Sequence, residues 1–191
     1  MKCCIALLTN YQVHNYARKL AFYLDQLYGA GMDAALLPQH VTLAPVFEAD
    51  DLGAVEAYCD QLAVELNQIE LKFPRMELKF SDCSSSGVIW LKVEETPQLT
   101  QLKRRLADDI AKRGWLPDFL CGDEFEFHST VTMGNLTPAE CQKILATLPE
   151  QQLNLSCRVK EIALFCPVKP TEDCRQHYFT YKIWPLRKKI V

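Results

Sequence analysis

A chain of 191 residues, 49% hydrophobic and 24% charged, has the composition of one globular domain or two small lobes around a shared core, and this excludes a disordered chain. Its formal net charge of −3 excludes a protein that grips long nucleic acid mainly through a polycationic surface. A small nucleotide or a strand end needs only a local positive pocket and remains open.

Residues 3–9 open the chain as an apolar run of strand length, too short for a secretory hydrophobic region or a bilayer span. Val13 to Tyr28 carries apolar residues at helical spacing, and Gly29-Ala30-Gly31 ends that helix. Leu36 to Pro45 reads as extended. Asp50-Asp51 places acids at the start of a second helix that runs to about Asn67, where the helix dipole favours negative charge. Ile69 to Phe80 is extended, with Pro74 marking an edge or a bulge. A polar turn over residues 81–87 leads into a returning strand from Val88 to Val93.

Thr96 to Arg113 predicts a third helix, stopped by Gly114 and followed by a loop with Pro117 and Gly122. Phe125 to Met133 is extended. Thr137-Pro138-Ala139-Glu140 has the cap, the first-turn proline and the glutamate of a capping box, so a fourth helix begins there. Leu153 to Val168 and His177 to Trp184 read as a strand pair around a polar turn.

A shift of roughly 88 places lays His40 on His128, Thr42 on Thr130 and Leu43 on Val131. It also lays the second helix on the fourth and Val88–Leu91 on Gln176–Phe179. Each half, roughly 36–95 and 124–186, therefore reads as motif strand, helix, strand, polar turn, strand. The whole, 1–191, is expected to be a single bilobal domain in which two like lobes each supply one motif.

Alternate residues of a strand share a face. His40 and Thr42 thus stand side by side, with Val41 and Leu43 turned to the core; His128 and Thr130 do the same, with Phe127, Ser129 and Val131 behind them. Two imidazoles and two hydroxyls suit phosphodiester chemistry. One imidazole can deprotonate the attacking water or hydroxyl and the other can protonate the leaving oxygen, since histidine titrates near neutrality. The threonine hydroxyls can donate to the non-bridging oxygens. No carboxylate cluster of metal-binding form is present, so neither a metal nor another cofactor is expected.

The paired tetrads His40-Val41-Thr42-Leu43 and His128-Ser129-Thr130-Val131, with the halves around them, resemble the 2H phosphoesterase superfamily, which includes 2′-5′ RNA ligase-like proteins and cyclic nucleotide phosphodiesterases. The resemblance implies an α+β fold, bilobal and pseudo-twofold, each lobe an antiparallel sheet flanked by helices, with one motif from each lobe lining a central cleft. It implies His40 and His128 as the catalytic pair and Thr42 and Thr130 as phosphate-binding hydroxyls. The implied partner is a nucleotide 2′,3′-cyclic phosphate, hydrolysed to a 2′-phosphate, or a 2′-5′ linkage at an RNA end. A non-catalytic nucleotide-binding module using the same cleft, or an RNA 2′-5′ ligase, is the alternative. Two departures bear on base recognition: Met133 and Gly134 follow the second motif where some members have an aromatic, and Gln39 precedes the first where many have proline.

The remaining candidates have plainer readings. His14 is read as a surface residue and His177 as structural. Tyr11, Phe47, Trp115 and Tyr178 have the chemistry to stack on a base, but core or rim packing is the simpler role. Lys103-Arg104-Arg105 and Lys112-Arg113, interleaved with acids, form a solvated helix face. Nine cysteines without a CxxC pair, mostly in apolar stretches, read as buried thiols of a reducing compartment. A cytoplasmic monomer without membrane attachment is expected.

Overall fold

The computed structural model describes residues 1–81, 84–117, 125–133, 136–148, 152–168 and 178–188. In chain order these form β1 (Lys2–Leu8), α1 (Tyr11–Tyr28), a short 3-10 turn (Asp33–Ala35), β2 (His40–Glu48), α2 (Leu52–Glu65), β3 (Ile69–Ser81) and β4 (Ser84–Lys92). There follow α3 (Pro97–Lys112), β5 (Leu116–Pro117), β6 (His128–Met133), α4 (Pro138–Thr147), β7 (Gln152–Val159), β8 (Glu161–Pro167) and β9 (Tyr178–Pro185).

Among the described residues the strands make two sheets, ordered β5-β2-β1-β8-β9 and β6-β4-β3-β7, with antiparallel neighbours throughout. Helices α2 and α3 pack against the first sheet, and α1 and α4 against the second. The fold is α+β and bilobal, with one motif strand in each sheet. The halves interleave, however. The β3-β4 hairpin of the first half joins the second motif strand, while β8 and β9 of the second half join β1 and the first motif strand.

Residues 153–168, expected as one strand, are therefore two strands in different sheets. The break falls at Lys160, with β7 beside β3 and β8 beside β1. His177 lies outside the described residues, and β9 begins at Tyr178.

Local chemistry explains the element ends. Asn10 caps α1 by accepting from Val13 N at 3.1 Å, so the helix begins at Tyr11, earlier than the apolar pattern suggests. Gly29 ends it in the left-handed conformation at φ 63°. The segment before His40 is not extended: it holds the 3-10 turn, and the strand starts at the histidine itself. Pro74 sits at a register shift between Phe73 and Arg75 against β7, the bulge a proline needs inside a sheet. Thr137 and Glu140 form the predicted capping box at the start of α4.

The six described cysteines, Cys3, Cys4, Cys59, Cys141, Cys157 and Cys166, are free thiols and buried. No described helix is long and apolar enough to cross a membrane. Strand β1 is buried on both faces. Cys3, Ile5 and Leu7 enter the main core, while Cys4, Ala6 and Leu8 join Ala163 and Phe165 in a smaller cluster on the other face. That second cluster floors the cleft described next.

Candidate active site

The period-two pattern places the motif side chains as expected. Val41 and Leu43 are fully buried, while His40 and Thr42 are half-buried on the opposite face of β2. On β6, Ser129 and Val131 are buried and His128 and Thr130 half-buried. His40, Thr42 and Thr130 line one cleft of about 480 Å3 together with Cys4, Asp33, Leu37, Val46, Phe165 and Tyr178. His128 shares the strand face of Thr130 but is not part of that cleft wall. A larger groove of about 900 Å3 lies elsewhere, edged by Asn67, Thr96, Arg158, Lys160 and Lys188. It contains no histidine, whereas the smaller cleft has His40, Thr42 and Thr130 in its wall.

Each imidazole is held the same way. His40 Nδ1 lies 2.8 Å from the Pro38 carbonyl oxygen, and His128 Nδ1 lies 2.8 Å from that of Glu126. A carbonyl only accepts, so each Nδ1 carries a proton and each Nε2 is left for chemistry. Neutral, such a ring offers a lone pair; protonated, it offers an N–H.

The surroundings of the two rings differ. The edge of Phe165 meets His40 with ring centroids 4.6 Å apart at 67°, and burial pulls the His40 pKa down to about 4. His128 lies against Trp90, with centroids 3.9 Å apart at 31°. Burial lowers its pKa as well, but the Glu126 carbonyl and carboxylate act in the opposite direction. That carboxylate is itself kept ionised by Lys79 and Lys92, the latter 3.1 Å away. Lys92 also reaches Glu77 at 3.4 Å, and Glu77 accepts from Trp90 Nε1 at 3.3 Å. The first motif thus stands in an apolar wall and the second beside a charge network. Among the described residues, no three His, Cys, Asp or Glu side chains converge as a metal site would require.

The model of the 2′-5′ RNA ligase superfamily matches residues 12–166, a span that contains both motifs. The chain belongs to this superfamily, the 2H phosphoesterases. It is 31% identical over 157 residues to a candidate phosphoesterase of Geobacillus sp. (strain WCH70), covering 81% of each chain. A second candidate phosphoesterase, from Geobacillus kaustophilus (strain HTA426), is 31% identical over 125 residues, covering 63% of this chain and 65% of that one. Among solved structures, Escherichia coli LigT complexed with 3′-AMP superposes with a TM-score of 0.62 at 21% identity, over 97% of each chain. A Thermus thermophilus protein gives 0.63 at 15% identity over the full length of both. At these identities the superpositions speak for the fold, which is that of a 2H phosphoesterase.

The other sequence candidates sort cleanly. Of the four aromatics considered for base stacking, Tyr178 alone lines the cleft. Phe47 and Trp115 stack on each other in the core at 5.2 Å, and Tyr11 is exposed. Of the basic cluster on α3, Arg105 pairs with Glu65 and Asp109, and Arg113 lies 4.4 Å over the Tyr58 ring, so neither points to a ligand. His14 is not a plain surface residue: it is half-buried, and its Nδ1 accepts from Gln39 N at 3.2 Å. Phe165 and Trp90, which face the two imidazoles, carry no motif signal in the sequence and come from strands distant in the chain.

Proposed function

We propose that this phosphoesterase hydrolyses a 2′,3′-cyclic phosphate to a 2′-phosphate, or a 2′-5′ phosphodiester, on a nucleotide or RNA end, with His40 as general base and His128 as general acid. The observation that carries this reading is the matched pair of imidazoles, each with Nδ1 tied to the carbonyl two residues before it and Nε2 left over. Their unequal surroundings support the division of roles. His40, whose pKa burial brings to about 4, is neutral over most of the pH range and can take a proton from water. Burial holds the His128 pKa below 6.5 as well, but the Glu126 carbonyl and carboxylate oppose that shift and favour its imidazolium. His40 gets such support from no carboxylate, and the difference suits His128 to proton donation.

On a cyclic phosphate the step balances simply. The water oxygen bonds to phosphorus as His40 Nε2 takes its proton, and the P–O3′ bond breaks as His128 Nε2 protonates O3′. Thr42 and Thr130 donate to the non-bridging oxygens, where charge develops. The cleft beside them has apolar walls from Leu37, Val46 and Phe165, and Tyr178 stands where it can face a base. LigT, complexed in separate crystals with 3′-AMP, ATP, NADP+ and phosphate, supports a nucleotide or phosphate ligand here.

The test is turnover of a nucleoside 2′,3′-cyclic phosphate by His40→Ala and His128→Ala. Each should lose about 10²–10⁴-fold in kcat. Full activity in either variant removes that histidine from the mechanism. Tight mononucleotide binding without turnover by the wild type would instead support a binding module.

A further inference from the structure

Two residues next to the motif histidines in the chain are polar and buried. Gln39 immediately precedes the first motif and is 5% exposed; Ser129 lies between His128 and Thr130 and is 0% exposed. An amide and a hydroxyl without partners there would cost free energy, so their contacts carry information.

Those contacts join the two motifs. The Gln39 Nε2 donates to Ser129 Oγ at 2.7 Å and to the Thr130 carbonyl at 2.7 Å. The Ser129 hydroxyl in turn donates to the His40 carbonyl at 2.6 Å. Gln39 is anchored from behind. Thr9 donates to its carbonyl from N at 3.0 Å and from Oγ1 at 2.9 Å, and His14 Nδ1 accepts its N–H. Three hydrogen bonds therefore link His40 and the residue before it to β6, although β2 and β6 belong to different sheets and share no ladder. Each bond begins or ends on a motif residue or on the one immediately before His40.

We propose that Gln39 and Ser129 are positioning residues, forming a clasp that fixes the spacing and register of the two motif strands so that His40 and His128 address one phosphorus from opposite sides. This rests on the reading of the two histidines as an acid–base pair. Packing alone sets sheet separation only loosely, whereas a buried and mutually satisfied polar network selects one arrangement. Catalysis needs that selection, because a displacement of about 1 Å between reacting groups can cost about 10²-fold in rate.

The test uses Gln39→Met, which keeps length and removes both donors, Ser129→Ala, which removes one hydroxyl, and the double variant. With 2′,3′-cyclic AMP, well below the melting temperature, kcat per folded molecule should fall about 30- to 100-fold in each single variant. Both limbs of the pH profile should stay in place, and the double variant should be no slower than the worse single. Turnover within about twofold of wild type, or losses that multiply in the double variant, would overturn the clasp. A purely structural role predicts a lower melting temperature with unchanged turnover per folded molecule. Should Gln39→Met fail to fold, Ser129→Ala carries the same comparison.

If the wild type turns over neither a 2′,3′-cyclic phosphate nor a 2′-5′ phosphodiester, the proposed hydrolase fails and the clasp is read from inorganic phosphate binding by ³¹P NMR. Affinity should then weaken about tenfold in each variant, because Thr42 and Thr130 no longer close on one anion. Unchanged affinity would overturn it.

Discussion

Replacing Phe165 by alanine removes the wall against which His40 is buried, and the consequence follows from why that imidazole is so weak a base. Phe165 is 1% exposed and its edge meets the His40 ring at 4.6 Å. Burial is the largest influence on His40 and brings its pKa from the ordinary 6.5 to about 4, which opposes protonation by about 3 kcal/mol. Alanine admits water on that side and should restore part of the difference, moving the acid limb of kcat/KM from about 4 to roughly 5. At pH 5 the neutral fraction of His40 then drops from about nine-tenths to about half, so activity relative to its own maximum falls about twofold. The assay is kcat/KM against pH with a 2′,3′-cyclic nucleotide, alongside NMR titration of the His40 ring. The deleted ring also costs about 3–5 kcal/mol of stability, so circular dichroism at each pH must show the variant folded. A folded variant whose acid limb stays at about 4 would refute the claim that this wall sets the base.

Two further outcomes are expected. Glu126→Gln removes the carboxylate that favours protonated His128 and leaves the Lys79 charge that opposes it unbalanced, so the His128 pKa falls further below 6.5. The alkaline limb should move to lower pH, and an unmoved or raised limb in the kcat/KM profile would contradict the assigned acid. Gly87→Ala places a Cβ 2.3 Å from Cys141 Sγ, an overpacking that should cost about 1–3 kcal/mol, or roughly 2–4 °C in Tm per kcal/mol. Adding Cys141→Ala should recover most of the loss by thermal melt; no recovery would place the clash elsewhere.

The parts of this molecule legible in its sequence are those with a local period or a local cap. His40, Thr42, His128 and Thr130 declare a shared face because buried residues alternate with them, and Thr137 with Glu140 marks a helix start through side chains three residues apart. The interleaving of the halves was not legible. Residues 153–159 alternate and 162–166 form a continuous buried run, but neither pattern names the sheet that receives it, and the crossing at Lys160 is decided by partners far away in the chain. For the same reason Phe165 and Trp90, which distinguish the two imidazoles, gave no local sign. Gln39 stood out in the sequence as a departure from the family pattern, but its partner Ser129 occupies the variable place of the motif. Their pairing needs both sheets in position, as does the contact that makes His14 a support for Gln39.

The central claim is tested most directly by incubating the protein, with EDTA present, with each of the four nucleoside 2′,3′-cyclic phosphates and separating 2′- from 3′-phosphate products. The account predicts metal-independent conversion to the 2′-phosphate, abolished by His40→Ala and by His128→Ala. A 3′-phosphate product, or turnover that EDTA removes, would contradict it.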